Sequence, residues 1–192
     1  MKTTIEMIKS DLFRYTGKIS IRCFLKNYFL NPAFRYSFYY RLAKRVGALP
    51  VFGWIIRFKL IRLSYKFHYQ IPRQAAIGYG LYLGHYGPII INPRAIIGSN
   101  CNIAAGVVVG QTNRGKRKGT PVIGNCVWIG ANSVIVGAVT IGDNSLIAPL
   151  SYVNFDVPAN SLVMGNPGMI VKQGIDTQHY ISNPWDFPEQ NA

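Results

Sequence analysis

Among the 192 residues, the side chains with acid–base, nucleophilic or metal-binding chemistry near neutral pH are few: three histidines (His68, His85, His179) and three cysteines (Cys23, Cys101, Cys126). Carboxylates are scarcer than usual, with seven Asp and Glu against 21 Lys and Arg, and none falls between Asp11 and Asp143. The histidines are too far apart to make a local metal motif, and no metal site is expected. Three cysteines without motif spacing make no disulfide framework, so they read as small core or surface residues of a protein in a reducing compartment. A single histidine acting on a hydroxyl is the chemistry that this inventory leaves open, and it needs a scaffold to place it.

The scaffold is legible as a repeat of period six. Aliphatic residues stand at Ile71, Ile77 and Leu83, and after a two-residue slip at Ile91, Ile97, Ile103 and Val109. A break follows, and they resume at Ile123, Ile129, Ile135, Ile141, Ile147 and Val153. A small residue often comes next, as in Gly78, Gly84, Gly98, Ala104, Gly110, Gly124, Gly130, Gly142 and Ala148. Six matches neither the helical period nor simple strand alternation. It is the hexapeptide signature of a parallel β-helix, in which three short strands make one coil and each aliphatic residue stacks on its counterpart in the next. The repeats supply about four coils. Each coil is buried only against its neighbours, so the ends need caps, for which the N-terminal region and the tail from Pro158 are candidates.

Charge divides the chain differently. Residues 1–68 hold fourteen Lys and Arg against Glu6 and Asp11, a net of +12, whereas residues 69–192 hold seven against five acids, a net of +2. The basic third reads as helical. Ser10 or Asp11 starts one segment, and Asn31-Pro32 resembles an N-cap with Pro at the first helical position. A helix over Ala33–Val46 is interrupted by Gly47 and Pro50, and another follows over Phe52–Phe67. These basic helices suit peripheral contact with an anionic membrane, or a solvated face on helices that pack against the β-helix. No nucleic-acid motif is present, and nucleic acid is not an expected partner. No stretch reaches the roughly 18 apolar residues of a spanning helix, and Met1 to Asp11 lacks the apolar run of a signal peptide. A cytoplasmic location follows as the expectation. The expected division is a basic helical region (1–68), a β-helix domain (69–171) and a C-terminal tail (172–192).

Between Ile71 and Val171 the chain resembles the serine acetyltransferase group of hexapeptide-repeat acyltransferases. The segments that carry the likeness are Gly80-Leu-Tyr-Leu-Gly-His85-Tyr-Gly-Pro, Val109-Gly-Gln-Thr-Asn-Arg-Gly-Lys-Arg-Lys-Gly-Thr-Pro-Val-Ile123 and the closing Met164-Gly-Asn-Pro-Gly. In style it is similar to short capsule and exopolysaccharide O-acetyltransferases, which set the same core behind a small basic region. The resemblance implies a mainly β fold, a left-handed parallel β-helix with a small N-terminal α-helical region. It also implies a homotrimer with acetyl-CoA lying in the groove between two copies. His85 matches the family's general base, a role to which imidazole is suited.

By the same resemblance Gly110, Gly130, Ala131, Gly124 and Ala148 line the acetyl-CoA track. Lys118, with Arg114, Lys116 and Arg117, stands ready for phosphates. The departures bear on the acceptor. Gln70 stands where the family places an Asp that orients the histidine, Gly84 where it places an Asp beside the amine, and Gly119-Thr120 where it places an Arg-His pair. With Tyr86, the residues Gly84 and Thr120 are the expected acceptor contacts. Losing groups that recognise a charged amino acid points to a neutral hydroxyl. The expected function is therefore acetyl-CoA-dependent O-acetylation of a carbohydrate in polysaccharide biosynthesis. The alternatives are serine acetylation through a divergent acceptor site, and a non-catalytic β-helix scaffold.

Overall fold

The structure, a computed structural model, describes residues 3–46 and 50–186. Four helices come first: α1 (Thr4–Thr16), α2 (Ile21–Leu30), α3 (Pro32–Arg45) and α4 (Pro50–Phe67). The start of α1 lies earlier than expected. Thr3 caps it, with its hydroxyl accepting from the Glu6 N–H and the Glu6 carboxylate accepting from the Thr3 N–H, a reciprocal capping box. Ser10 and Asp11 are inside that helix and buried. Helix α2, which the periodicity did not reveal, is capped by Ser20. Asn31 caps α3 as expected, accepting from the Ala33 and Phe34 N–H groups. Gly47, expected to break the helices, lies outside the described residues.

The rest is a parallel β-helix. Strands β1 (Tyr69–Gln70), β4 (Ile89–Ile91), β7 (Val108–Gly110), β10 (Val134–Val136) and β13 (Tyr152–Val153) form one sheet. Strands β2 (Ala76–Ile77), β5 (Ile96–Ile97), β8 (Val122–Ile123) and β11 (Thr140–Ile141) form the second. The third holds β3 (Tyr82–Gly84), β6 (Asn102–Ala104), β9 (Trp128–Ile129), β12 (Leu146–Ile147), β14 (Ser161–Met164) and β15 (Met169–Gln173). From β1 to β10 each strand pairs in parallel with the one three places on, which is the sign of a three-sided coil; at the far end Val157 makes only an isolated bridge to Ile141, so β12 pairs with β14, and β14–β15 closes the sheet as an antiparallel hairpin.

The aliphatic repeat supplies the stacked interior. Ile91, Val109, Ile135 and Val153 are successive partners on one wall. Ile77, Ile97, Ile123, Ile141 and Val157 stack on the second, and Leu83, Ile103, Ile129, Ile147 and Val163 on the third. All are at most 5% exposed, so one dry column of aliphatic side chains runs the length of the prism.

The first coil has no strand beneath it, and its open edge exposes a row of backbone polar groups that must find partners. The helices supply them. From α3, the Tyr36 hydroxyl donates to the Ile71 carbonyl (3.0 Å), Tyr40 and Lys44 donate to Ala75 O (2.6 Å each), and Arg41 donates to Ile77 O and Gly78 O. From α1, Ser10 accepts from the Gly80 N–H, Asp11 from the Leu81 N–H and Tyr15 from the Leu83 N–H, while Arg14 donates to Gly80 O. Asp11 and Arg41 also form a fully buried ion pair (2.8 Å). Burial raises the Asp11 carboxyl, against the pull of Arg41 and the Leu81 N–H, and Asp11 in turn holds the Arg41 guanidinium above its usual range. Part of the basic character of the N-terminal region is thus consumed in capping the β-helix.

The tail after β15 runs back along the prism. Ile175 N–H donates to Asn160 O, Thr177 to Cys126 O, Asn102 to Tyr180 O, and Arg14 to Ser182 O, before Trp185 packs edge-on against Phe13 at 5.0 Å.

Candidate active site

The two-residue slip in the repeat, between Leu83 and Ile91, lengthens the corner that joins β3 to β4. His85 sits there, exposed, with its backbone in the left-handed region (φ 65°). The same conformation recurs at other turns of the coils, at Asn100, Cys126, Asn132, Asn144 and Leu150, so it belongs to the corner geometry of the β-helix. Two tyrosines fix the corner. The buried Tyr69 hydroxyl donates to the His85 carbonyl (3.2 Å), and the Tyr15 hydroxyl accepts from the Leu83 N–H (3.0 Å) with its ring against Tyr82 (4.6 Å).

His85 and Tyr86 open onto a cleft of ≈ 430 Å³ between this corner and the helices. Tyr15, Tyr82, Lys26, Asn27 and Asn31 give it polar groups, and Leu30, Ala33 and Leu83 an apolar side. Among the described residues neither Asp nor Glu lines it. Of these neighbours only Tyr86 was expected. Asn31 was legible as a helix cap but not as a wall, because the turn that brings α2 and α3 to the His85 corner is a tertiary relation. Tyr69 adjoins Gln70 in sequence, and nothing in its spacing marks it.

Gln70 is placed otherwise. It is exposed on β1, facing Ile90 of β4, and lines a separate hollow with Ser64, Pro72, Asn92 and Pro93. Among the described residues no hydrogen bond joins it to His85. The alternation of the strand explains this: Tyr69 and Gln70 point to opposite sides of the wall, one inward and one outward.

The residues expected along the acetyl-CoA track fall at different corners. Gly84, Ala104, Gly130 and Ala148 follow the stacked Leu83, Ile103, Ile129 and Ile147, so they climb one edge of the prism from the His85 corner, with Ala131 beside them. At Gly84 an added Cβ would meet nothing nearer than the Tyr82 ring at 3.4 Å and the Ile103 carbonyl oxygen at 4.0 Å, both ordinary contacts, so that side has room. At Gly130 it would strike the Pro149 nitrogen at 2.5 Å and the Trp128 ring at 2.8 Å, so packing within the chain also demands that glycine. Gly124 belongs to a second corner, stacked between Gly98 and the Asp143–Gly142 turn, where a Cβ would meet Asp143 Oδ1 at 2.2 Å. Gly110 ends β7 on the third.

Beyond Gly110 the loop 111–121 is pinned by the Thr112–Gly119 bridge and carries exposed Arg114, Lys116 and Lys118. Arg117 is held by Asp156 (2.6 Å) and is not a free cation as the sequence suggested; the Thr140 N–H and Arg117 keep the Asp156 carboxyl below its usual range. Thr120 is on this loop too, donating to Arg94 O (3.3 Å). A single chain therefore brings together His85, Tyr86, Gly84, Gly130, Ala131 and Ala148, but not Gly110, Gly124, Lys118, Thr120 or Gln70. Among the described residues no group of His, Cys, Asp and Glu is arranged to hold a metal ion, and no helix is long and apolar enough to cross a membrane.

Fold and repeat define the class: the chain belongs to the hexapeptide-repeat transferase family, with a left-handed parallel β-helix, and residues 120–154 match the family "Bacterial transferase hexapeptide (six repeats)". Within that class its relatives are serine acetyltransferases. It is 35% identical over 111 residues to serine acetyltransferase 2 of Arabidopsis thaliana, covering 58% of this chain and 34% of that protein. The Neisseria gonorrhoeae serine acetyltransferase superposes with a TM-score of 0.74 at 30% identity, over 91% of this chain and 68% of that one. The Brucella abortus serine acetyltransferase in complex with coenzyme A gives 0.71 at 26%, over 90% and 68%. The chain spans roughly a third to just over half the length of the curated relatives it matches, from 31% to 57%. The expected likeness to capsule and exopolysaccharide acetyltransferases gains no support from these comparisons.

Proposed function

We propose that the protein is an acetyl-CoA-dependent O-acetyltransferase in which His85 is the general base. The observation that carries this reading is the placement of one exposed imidazole, on a fixed corner, at the foot of an edge of small residues and at the mouth of a cleft with one polar and one apolar side. An acceptor hydroxyl in the cleft gives its proton to the imidazole as its oxygen attacks the thioester carbonyl. The C–S bond breaks, and the proton passes from the imidazole to the leaving thiolate. Holding both substrates at one corner supplies much of the acceleration by proximity. The edge of Gly84, Ala104, Gly130 and Ala148 suits a pantetheine arm, which needs close approach to backbone. Gly110, Lys118 and Thr120 join such a site if a neighbouring copy presents its loop across the groove of a trimer.

L-Serine is the acceptor that the relatives favour. A second reading, a neutral carbohydrate hydroxyl, is favoured by one observation: among the described residues neither Asp nor Glu lines the cleft to meet an ammonium group. The test is thiol release from acetyl-CoA with L-serine and with neutral sugars as acceptors. Release with serine and not with sugars supports the first reading, and the reverse supports the second. Replacing His85 by Ala should lower release with the working acceptor by about 10²–10⁴-fold. Retention of more than a tenth of the rate would remove His85 from the role.

A further inference from the structure

Helix α4 is apolar on two sides. Ile56, Leu60 and Leu63 are buried against the protein, at 5–6% exposure. On the opposite side Trp54, Ile55, Phe58, Ile61 and Tyr65 recur at helical spacing and are 50–77% exposed, with the Trp54 and Phe58 rings stacked at 5.6 Å. Phe29 and Leu30 at the end of α2 are exposed as well (64% and 72%). A helix that is apolar on two opposite sides wants a partner on both, and a contiguous exposed stripe with three aromatic rings is not an ordinary solvated face.

Cations interleave this stripe. Arg35, Lys59, Arg62 and Lys66 line a hollow of ≈ 410 Å³ floored by Phe29 and Phe67. The Arg35 guanidinium lies over the Phe67 ring at 5.5 Å, and its buried Nε has no hydrogen-bond partner among the described residues. Among the described residues neither Asp nor Glu lines this hollow, and Asp11 is buried against Arg41.

We infer that α4 and the end of α2 form a docking face for an anionic phospholipid surface, with Trp54, Phe58 and Ile61 entering the interface and the Arg35–Lys59–Arg62–Lys66 hollow receiving headgroup phosphate. Aromatics at headgroup depth and basic residues within reach of phosphate are the two contributions that interfacial helices combine. A second copy of the chain fits this face less well. The cations that interleave the stripe have no Asp or Glu among the described residues lining their hollow, so the same face of another copy offers them no opposite charge. The inference concerns a face of the helices and does not depend on which acceptor His85 serves.

The experiment is co-sedimentation of the full chain with vesicles of phosphatidylcholine alone and of phosphatidylcholine with about a quarter phosphatidylglycerol. Binding should be at least about tenfold stronger to the anionic vesicles and should fall by a similar factor between about 50 and 300 mM salt. The triple variant Lys59→Gln/Arg62→Gln/Lys66→Gln should lose about a hundredfold, taking each cation near the surface at its usual worth. Trp54→Ser/Phe58→Ser should weaken binding even at low salt, and brominated lipid should quench emission in the parent but much less in this variant. Unchanged melting monitored by circular dichroism will show that the variants fold. Equal binding to neutral and anionic vesicles, no binding to either, or full retention by the Trp54/Phe58 variant would overturn the proposal. So would a lipid-free doubling of mass by light scattering that the same variant abolishes, since the face would then belong to a second copy.

Discussion

The hydroxyl of Tyr69, a residue with no exposed surface, donates to the backbone carbonyl of the exposed His85 across 3.2 Å. The link ties the first strand of the β-helix to the corner that carries the imidazole, and it acts on the backbone rather than on the ring. Tyr69→Phe should therefore loosen the corner without touching the base. We expect a stability loss of about 1 kcal/mol and a several-fold fall in kcat for thiol release, with KM for acetyl-CoA little changed. Steady-state kinetics beside thermal melting will decide: parent kinetics in a destabilised variant would mean that the bond serves the fold alone.

Breaking the Asp11–Arg41 pair from one side should be severe. Arg41→Leu leaves a buried carboxylate without its ion-pair partner, with Arg14 as the remaining nearby cation, and strips the Ile77 and Gly78 carbonyls of their donor. A loss of about 3–5 kcal/mol is expected, read by urea denaturation. The double variant Asp11→Leu/Arg41→Leu should recover only part of it, because those carbonyls and the Leu81 N–H stay unpartnered. A full recovery would contradict the capping account.

Two glycines separate packing from access. A Cβ at Gly98 would lie 2.4 Å from the Gly124 carbonyl oxygen, so Gly98→Ala should cost about 2–4 kcal/mol by forcing two coils apart. Gly84→Ala makes only ordinary contacts, with the Tyr82 ring and the Ile103 carbonyl, and should leave the melting temperature within a few degrees of the parent. A larger Gly84→Val is expected to raise KM for acetyl-CoA while the fold holds. If Gly84→Val kinetics match the parent, the edge above His85 is not the donor's track.

Alkali should unfold the protein earlier than its size alone suggests. Burial pushes the Tyr36 and Tyr69 phenols and the Cys101 thiol up to about 12. Each group is neutral in both states at pH 7, so its native environment carries no penalty there. Above about pH 9 for the thiol and about pH 10 for the phenols the unfolded chain ionises while the folded one does not, so stability falls as pH rises toward 12. Denaturation midpoints at pH 8, 10 and 11 will check this. The Cys101→Ala variant should flatten the first part of the fall.

The sequence by itself determined the β-helix. Aliphatic residues every six positions have one way to be buried together, and the columns Leu83–Ile103–Ile129–Ile147 and Ile77–Ile97–Ile123–Ile141 are that pattern realised strand by strand. The two-residue slip is visible too, but His85 is singled out by resemblance, and it is the structure that shows the slip lengthening the corner on which it is exposed. Only the tertiary structure decided what surrounds that corner. Tyr15, Asn31 and Tyr69 come to it from separate elements, through contacts that leave no periodic trace. It decided as well that Gln70 faces away from the Tyr69 side, and that Arg14, Arg41 and Lys44 cap an open strand edge while Lys59, Arg62 and Lys66 remain at the surface. A regular spacing encodes burial because each residue repeats the same environment. A site gathers single residues from distant segments, and their meeting is fixed by how the helices pack on the first coil.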